Sequence, residues 1–162
     1  MRFLLLASCI LAHSTLSVAQ TQADTTPGIL IADQSSSYTI PQRAFHKFCS
    51  LSSTGNLTGY AKSDLSAGDG TYAKVSTIDV QLSTEDLATL QSEILASKAG
   101  PFTSGPAPCD IGFKSIKGLD ASANAVSYIT MDEVIDCRTI TQNKSEAAQS
   151  VLKWVGENCD IK

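Results

Sequence analysis

The feature that most constrains this chain is where its cysteines fall. From residue 109 onward the sequence reads as a strand, a turn, a second strand and an amphipathic helix, with a cysteine at each break. Ile111 and Phe113 alternate with Gly112 and Lys114, and Ile129, Met131, Ile135 and Cys137 share one parity within residues 125–137. Both patterns have the period of two that marks a half-buried strand. Closing a hairpin near residue 123 sets Cys109 opposite Cys137 and Ile111 opposite Ile135. The apolar side chains then share one face, which is what specifies strand register. Cysteines opposed in this way come within bonding distance where their side chains converge.

The helix after this hairpin places the remaining pair. Asn143-Lys144-Ser145-Glu146 has the form of a capping box, with Asn143 as N-cap and Glu146 three residues on. Ala148, Val151, Leu152, Val155 and Cys159 then fall within one arc of a helical wheel. Cys159 turns toward the core, and its remaining partner is Cys49. The expected bonds are Cys109–Cys137 and Cys49–Cys159.

The compartment is read from the N-terminus. Residues 1–19 have the build of a secretory signal peptide: Arg2, an apolar stretch, then Ser17-Val18-Ala19 as a small-residue cleavage site. The rival reading is a lipoprotein anchor, because Leu6-Ala7-Ser8 precedes Cys9. The apolar run before Cys9 is short for that purpose. No later run is long enough to span a membrane. The expected location is therefore extracellular or periplasmic, where cysteines become disulfides. Without Cys9, the chain keeps Cys49, Cys109, Cys137 and Cys159. None of these has the close Cys-x-x-Cys spacing of a zinc site, and His46 is the histidine left beyond the leader. No metal or other cofactor is expected.

Sixteen acidic side chains oppose 12 basic ones, and Arg2 belongs to the leader. The basic residues form no stripe, which argues against nucleic acid or an anionic membrane as partner.

Residues 20–37 are rich in Thr, Ser, Gln, Ala and Asp and read as a mobile N-terminal arm. The apolar run Gly28-Ile29-Leu30-Ile31-Ala32 within it fits either an added edge strand or a small docking element. Residues 38–162 then form a single α+β domain. Its first half carries extended segments around Phe45, Cys49 and Leu51 and over residues 57–62, then a strand over residues 71–82 with Ile78, Val80 and Leu82 on one face. Ser83 caps a helix with Asp86 in its first turn. Leu87, Leu90, Ile94 and Leu95 form its stripe, and Gly100-Pro101 ends it. The second half repeats this grammar. The expected fold is an antiparallel sheet with two helices packed on one face, in the order strands, helix, strands, helix, held by two disulfides.

Between the halves, Pro101, Pro106 and Pro108 supply three of the chain's five prolines. Residues 101–108 are expected to be an exposed, stiffened loop, either a plain connector between the halves or a binding segment with Phe102 as its apolar anchor. Trp154, well off the helical stripe, reads either as a flank residue covering the sheet edge or as a binding anchor. Binding is thus assigned to Phe102, Pro101 and Trp154.

Catalytic patterns are sparse. His46 lies on the parity opposite Cys49 and is expected on the surface. There is no Gly-x-Ser-x-Gly elbow, no phosphate-cradling loop and no His-Glu-x-x-His pair. Asp132 and Asp136 share a parity opposite the core residues and are expected in solvent, with Glu133 left on the core parity, at a sheet edge or beside a bulge. Asn56-Leu57-Thr58 and Asn143-Lys144-Ser145 match the glycosylation sequon.

The layout also carries a resemblance. Gly55-Asn56-Leu57-Thr58-Gly59 after the first strand, Leu82-Ser83-Thr84-Glu85-Asp86-Leu87 opening the first helix, and a closing helix after a second hairpin together resemble the emfourin type of small bacterial inhibitors of thermolysin-type metalloproteases. The likeness spans roughly residues 55–158. The four cysteines, the leader and the N-terminal arm depart from that pattern, and no functional residue carries over. The expectation is a secreted, non-catalytic binding protein, with a protease inhibitor as its first form and a secreted protease as partner. The competing expectations are an effector or cell-surface binding module without a protease target, and a carboxylate-dependent hydrolase.

Overall fold

A computed structural model describes residues 27–36, 43–66, 69–109 and 112–161. The expected leader, residues 20–26 and 37 of the expected arm, and Ile111 lie outside them. The described residues form one eight-stranded sheet and two helices. In chain order the elements are β1 (Leu30–Ser35), β2 (Phe45–Leu51), β3 (Asn56–Leu65), β4 (Tyr72–Gln81), α1 (Thr84–Ala96), β5 (Phe102–Pro106), β6 (Phe113–Leu119), β7 (Tyr128–Ile135), β8 (Thr139–Asn143) and α2 (Glu146–Asn158). The strands lie side by side as β4-β3-β2-β1-β6-β7-β8-β5. Every neighbouring pair is antiparallel.

Register builds the core. Leu30, Leu51, Leu57 and Val80 form one row across β1–β4, continued by Gly118 and Ile129 on the other side. Ala32, Cys49, Gly59, Ile78 and Ile116 form the next row. α1 approaches Gly118 so closely that a Cβ there would fall 2.5 Å from Ile94. Cys159, at the end of α2, is bonded to Cys49. Leu90 and Ile94 of α1, and Ala148, Val151 and Val155 of α2, join the buried cluster that includes Leu30, Ala32, Cys49, Leu51, Leu57, Ile116 and Ile129. Both helices begin at a serine: Ser83 Oγ accepts from Asp86 N and Ser145 Oγ from Ala148 N, which satisfies an otherwise orphaned helix N–H.

Both expected disulfides are present, Cys49–Cys159 and Cys109–Cys137. The register beneath the second differs from expectation. Lys114 faces Val134 and Ser115 faces Glu133, a slip of two residues that keeps the parity. Cys137 reaches Cys109 from a turn beyond β7, with positive φ (57°), and its N–H donates to the Pro108 carbonyl at 3.4 Å.

Four further expectations are corrected. The apolar run assigned to the arm is β1, the strand flanked by β2 and β6. Its near-continuous apolar character belongs to a central strand, with Leu30 and Ala32 buried and Ile31 half-buried. The segment expected as a loop contains β5, paired along β8; Pro106 is tolerated there because the strand is at an edge. The single strand expected over residues 125–137 is followed by a second, β8, so α2 starts later. Its N-cap is Ser145 and not Asn143. Asn143 is fully buried; its Nδ2 donates to the Ser97 carbonyl at 2.7 Å and its Oδ1 accepts from Ser145 N at 3.0 Å. In the folded chain this asparagine is closed to glycan transfer.

A further latch joins the end of α1 to the β6–β7 connection. Lys98 Nζ lies 2.7 Å from Asp120 Oδ2, and the Ser122 N–H donates to Asp120 Oδ1 at 3.1 Å. The Lys98 hydrogen bond, followed by that of the Ser122 hydroxyl, holds the Asp120 carboxyl below its ordinary 3.8. A carboxyl lowered by folding adds stability above its unfolded value and loses that contribution as pH falls through the folded value. Asp120→Asn should therefore be less stable than wild type near neutrality. The gap should close as pH falls below the ordinary carboxyl value of 3.8, read from urea midpoints across the acid range. A gap that stays constant with pH would show that the charge on Asp120 contributes nothing.

Candidate functional site

Three surfaces bring polar or apolar side chains together without burying them. The first is the β5 edge. Residues 101–106 are all exposed, and Phe102 is 47% accessible. The segment is tied down along its other side. Phe102 pairs with Asn143 and Pro106 with Thr139, Lys144 N donates to the Pro101 carbonyl at 2.7 Å, and Ala107 N donates to the Arg138 carbonyl at 3.2 Å. The Cys109–Cys137 bond closes its far end. Pro101 and Phe102 thus stand together on a fixed backbone. Trp154 is half-buried on α2 and packs against the core.

The second surface is the sheet face that Asp33, Phe48 and Tyr60 share in register, on the parity opposite Cys49. His46, expected as a plain surface residue, is instead half-buried. Its Nε2 lies 3.0 Å from Asp33 Oδ1 and its Nδ1 3.3 Å from Tyr60 Oη. With the carboxylate accepting, Nε2 carries the proton and Nδ1 accepts from the phenol. Tyr60 also stands edge-on to the imidazole at 5.2 Å, and Lys62 Nζ lies 4.3 Å over its ring. This network orients three side chains contributed by β1, β2 and β3. Period-two parity places His46 and Tyr60 on this face; Asp33 was not legible, because its strand was not assigned.

Asp132 and Glu133 on β7 are split between the two faces, and Asp136 lies in the turn just past its end. Register shifts where Ile116 faces Asp132 and Lys117 faces Thr130, leaving Met131 as an extra residue. A bulge of this kind turns two successive side chains to one side. Met131 and Asp132 are accordingly both buried, Asp132 at 5%, so the expectation of a solvated Asp132 is corrected. Its Oδ2 lies 2.6 Å from Lys114 Nζ, while Glu133 pairs with Lys117 at 2.6 Å. Asp136 is half-buried. Asp132 and Glu133 are each neutralised by a lysine and point to opposite faces, so they do not flank a common cleft as a glycosidase pair must.

The third surface is a shallow cleft of about 490 Å³ lined by Phe45, Lys47, Ala61, Lys62, Ser63, Lys74, Val75, Ser76 and Asp160. Lys47 Nζ donates to the Asp160 carbonyl at 2.6 Å and to its carboxylate at 2.7 Å, which fixes the chain end over β2. Lys74 pairs with Asp64 at 2.9 Å. Sequence reading named Phe45 only as part of an extended segment and assigned none of these residues to a site, because they meet through strand pairing.

Among the described residues, no group of three or more His, Cys, Asp or Glu side chains is placed to hold a metal ion, and no helix is long and apolar enough to cross a membrane. Comparison with family models, curated proteins and solved structures returns no match to this chain.

Proposed function

We propose that this chain is a secreted, non-catalytic binding protein whose partner docks on the β5 edge, with a secreted protease as the partner class. The observation that carries the reading is Phe102: a large apolar side chain 47% accessible on an extended segment whose backbone is already held. An interface anchor works best when little ordering entropy remains to be lost on association, and the β8 pairing and the Cys109–Cys137 bond have removed that freedom. Proteases bind extended backbone, which is the form β5 presents. The leader-like residues 1–19 and the two disulfides support export. The resemblance in layout to emfourin-type inhibitors points the same way.

The test is inhibition of a panel of secreted proteases, metalloproteases included, by the purified chain and by Phe102→Ala. The variant should lose about tenfold or more in affinity, on the order of 1.4 kcal/mol, with its melting temperature unchanged. A marked drop in melting temperature without loss of inhibition would make Phe102 a structural residue. Absence of inhibition across the panel would remove the protease from the proposal.

A further inference from the structure

The two ends of this sheet are built differently. β5 is five residues long and ends at Pro106, both of which blunt an edge. β4 is ten residues long, contains no proline, and among the described residues has β3 as its single neighbour. Eight of its ten residues are exposed, among them Val75 at 58% and Val80 at 51%. Natural sheets protect an edge of this length with a bulge, proline, several inward charges or a covering element. β4 carries Lys74 and Asp79 alone.

The cleft lies beside this edge, and Lys74, Val75 and Ser76 belong to both. Side chains of Lys74 and Ser76 register with Ser63 and Ala61, and through them with Phe45 and Lys47. All six line the cleft. On a chain of net charge −4, this lining brings Lys47, Lys62 and Lys74 together; Lys47 is paired with Asp160 and Lys74 with Asp64, which leaves one lysine charge in excess.

We infer that β4 receives an extended segment of a partner protein as a ninth strand, antiparallel like the others, and that an acidic side chain of that segment enters the cleft beside Lys74. Backbone hydrogen bonds to the edge supply affinity, and the cleft supplies the side-chain preference, as in other strand-addition complexes. Cross-strand neighbours on one face approach within about 5 Å, so the side chain opposite Lys74 lies over the cleft. This surface is at the other end of the sheet from Phe102 and does not depend on the protease reading.

The probe is a short synthetic peptide of alternating valine and threonine with a central glutamate. Two controls accompany it: the same peptide with lysine at the centre, and one N-methylated at alternate residues. Binding is followed by fluorescence anisotropy and by backbone amide shifts. The glutamate peptide should shift amides of residues 72–81 and bind at least about tenfold more tightly than the lysine peptide, or about 1.4 kcal/mol. Methylation along the pairing edge should abolish binding. Lys74→Glu, on an exposed side chain, should reverse the preference between the two charged peptides. Four results would each overturn the inference: no binding of the glutamate peptide; binding indifferent to methylation; a preference unaltered in Lys74→Glu; or concentration-dependent self-association that protects β4 amides, which would make the occupant a second copy.

Discussion

A Cys49→Ala/Cys159→Ala variant should lose about 4–5 kcal/mol of unfolding free energy, the chain-entropy value for a loop of this size. The bond spans 110 residues, against 28 for Cys109–Cys137. Loop closure scales with the logarithm of length, so removing the shorter bond should cost about 1 kcal/mol less. Burial widens the difference. Cys49 and Cys159 sit inside the core cluster, where truncation also leaves a cavity, whereas Cys109 and Cys137 are exposed. Guanidinium midpoints of the two double variants, measured beside wild type, decide the matter. Equal losses, or a larger loss from the shorter loop, would mean that the long bond is not what joins α2 to the sheet.

Asn143→Ala should cost about 1–3 kcal/mol, mainly from the buried Ser97 carbonyl, which keeps the Gly100 N–H at 3.1 Å but loses its second donor. The Ser97 carbonyl loses its Nδ2 donor, and Ser145 N loses its Oδ1 acceptor. Ser97 is itself fully buried, so water cannot replace the donor without repacking. Ser145→Ala is the control: it removes an N-cap worth about 1 kcal/mol and leaves the Asn143 contacts in place. Denaturant midpoints that fall equally for the two variants would show that Asn143 joins nothing across the core.

What the sequence discloses follows how locally each feature is encoded. The stripes of α1 and α2 are periodic within a few turns, and Leu90, Ile94, Val151 and Val155 are buried as the wheel requires. Disulfide pairing was legible because it depends on parity, and a two-residue slip leaves parity unchanged. The bulge at Met131 was legible only as an anomaly: Glu133 on the core parity signalled either a bulge or a sheet edge, and without the position of the bulge Asp132 was assigned to the wrong face. Asn143 illustrates a different limit. Asn143 and Ser145 are both good caps, and the choice was made by Ser97, 46 residues away. β8 was missed because Thr-Ile-Thr-Gln-Asn has one apolar residue and no alternation to read. The β5 surface was legible through the exposed Phe102 and its prolines; the cleft was not, since Phe45, Lys74 and Asp160 meet through tertiary pairing alone.

The position of β1 sets an order of assembly. Synthesis delivers β1, β2, β3 and β4 first, and in the folded sheet β2, β3 and β4 each lie beside the strand before them, so these four can pair before β6 exists. That four-stranded intermediate is open on two sides, because β1 waits for a strand that lies beyond β4, α1 and β5 in the chain. Leu30 meets Gly118 and Ser35 meets Phe113 only after β6 has been made. Until then a strand that ends flanked on both sides is a bare edge with apolar side chains, open to pairing with another nascent chain. The vulnerable moment in the life of this protein is therefore the interval between β4 and β6, and a pause in elongation there should raise the yield of aggregate.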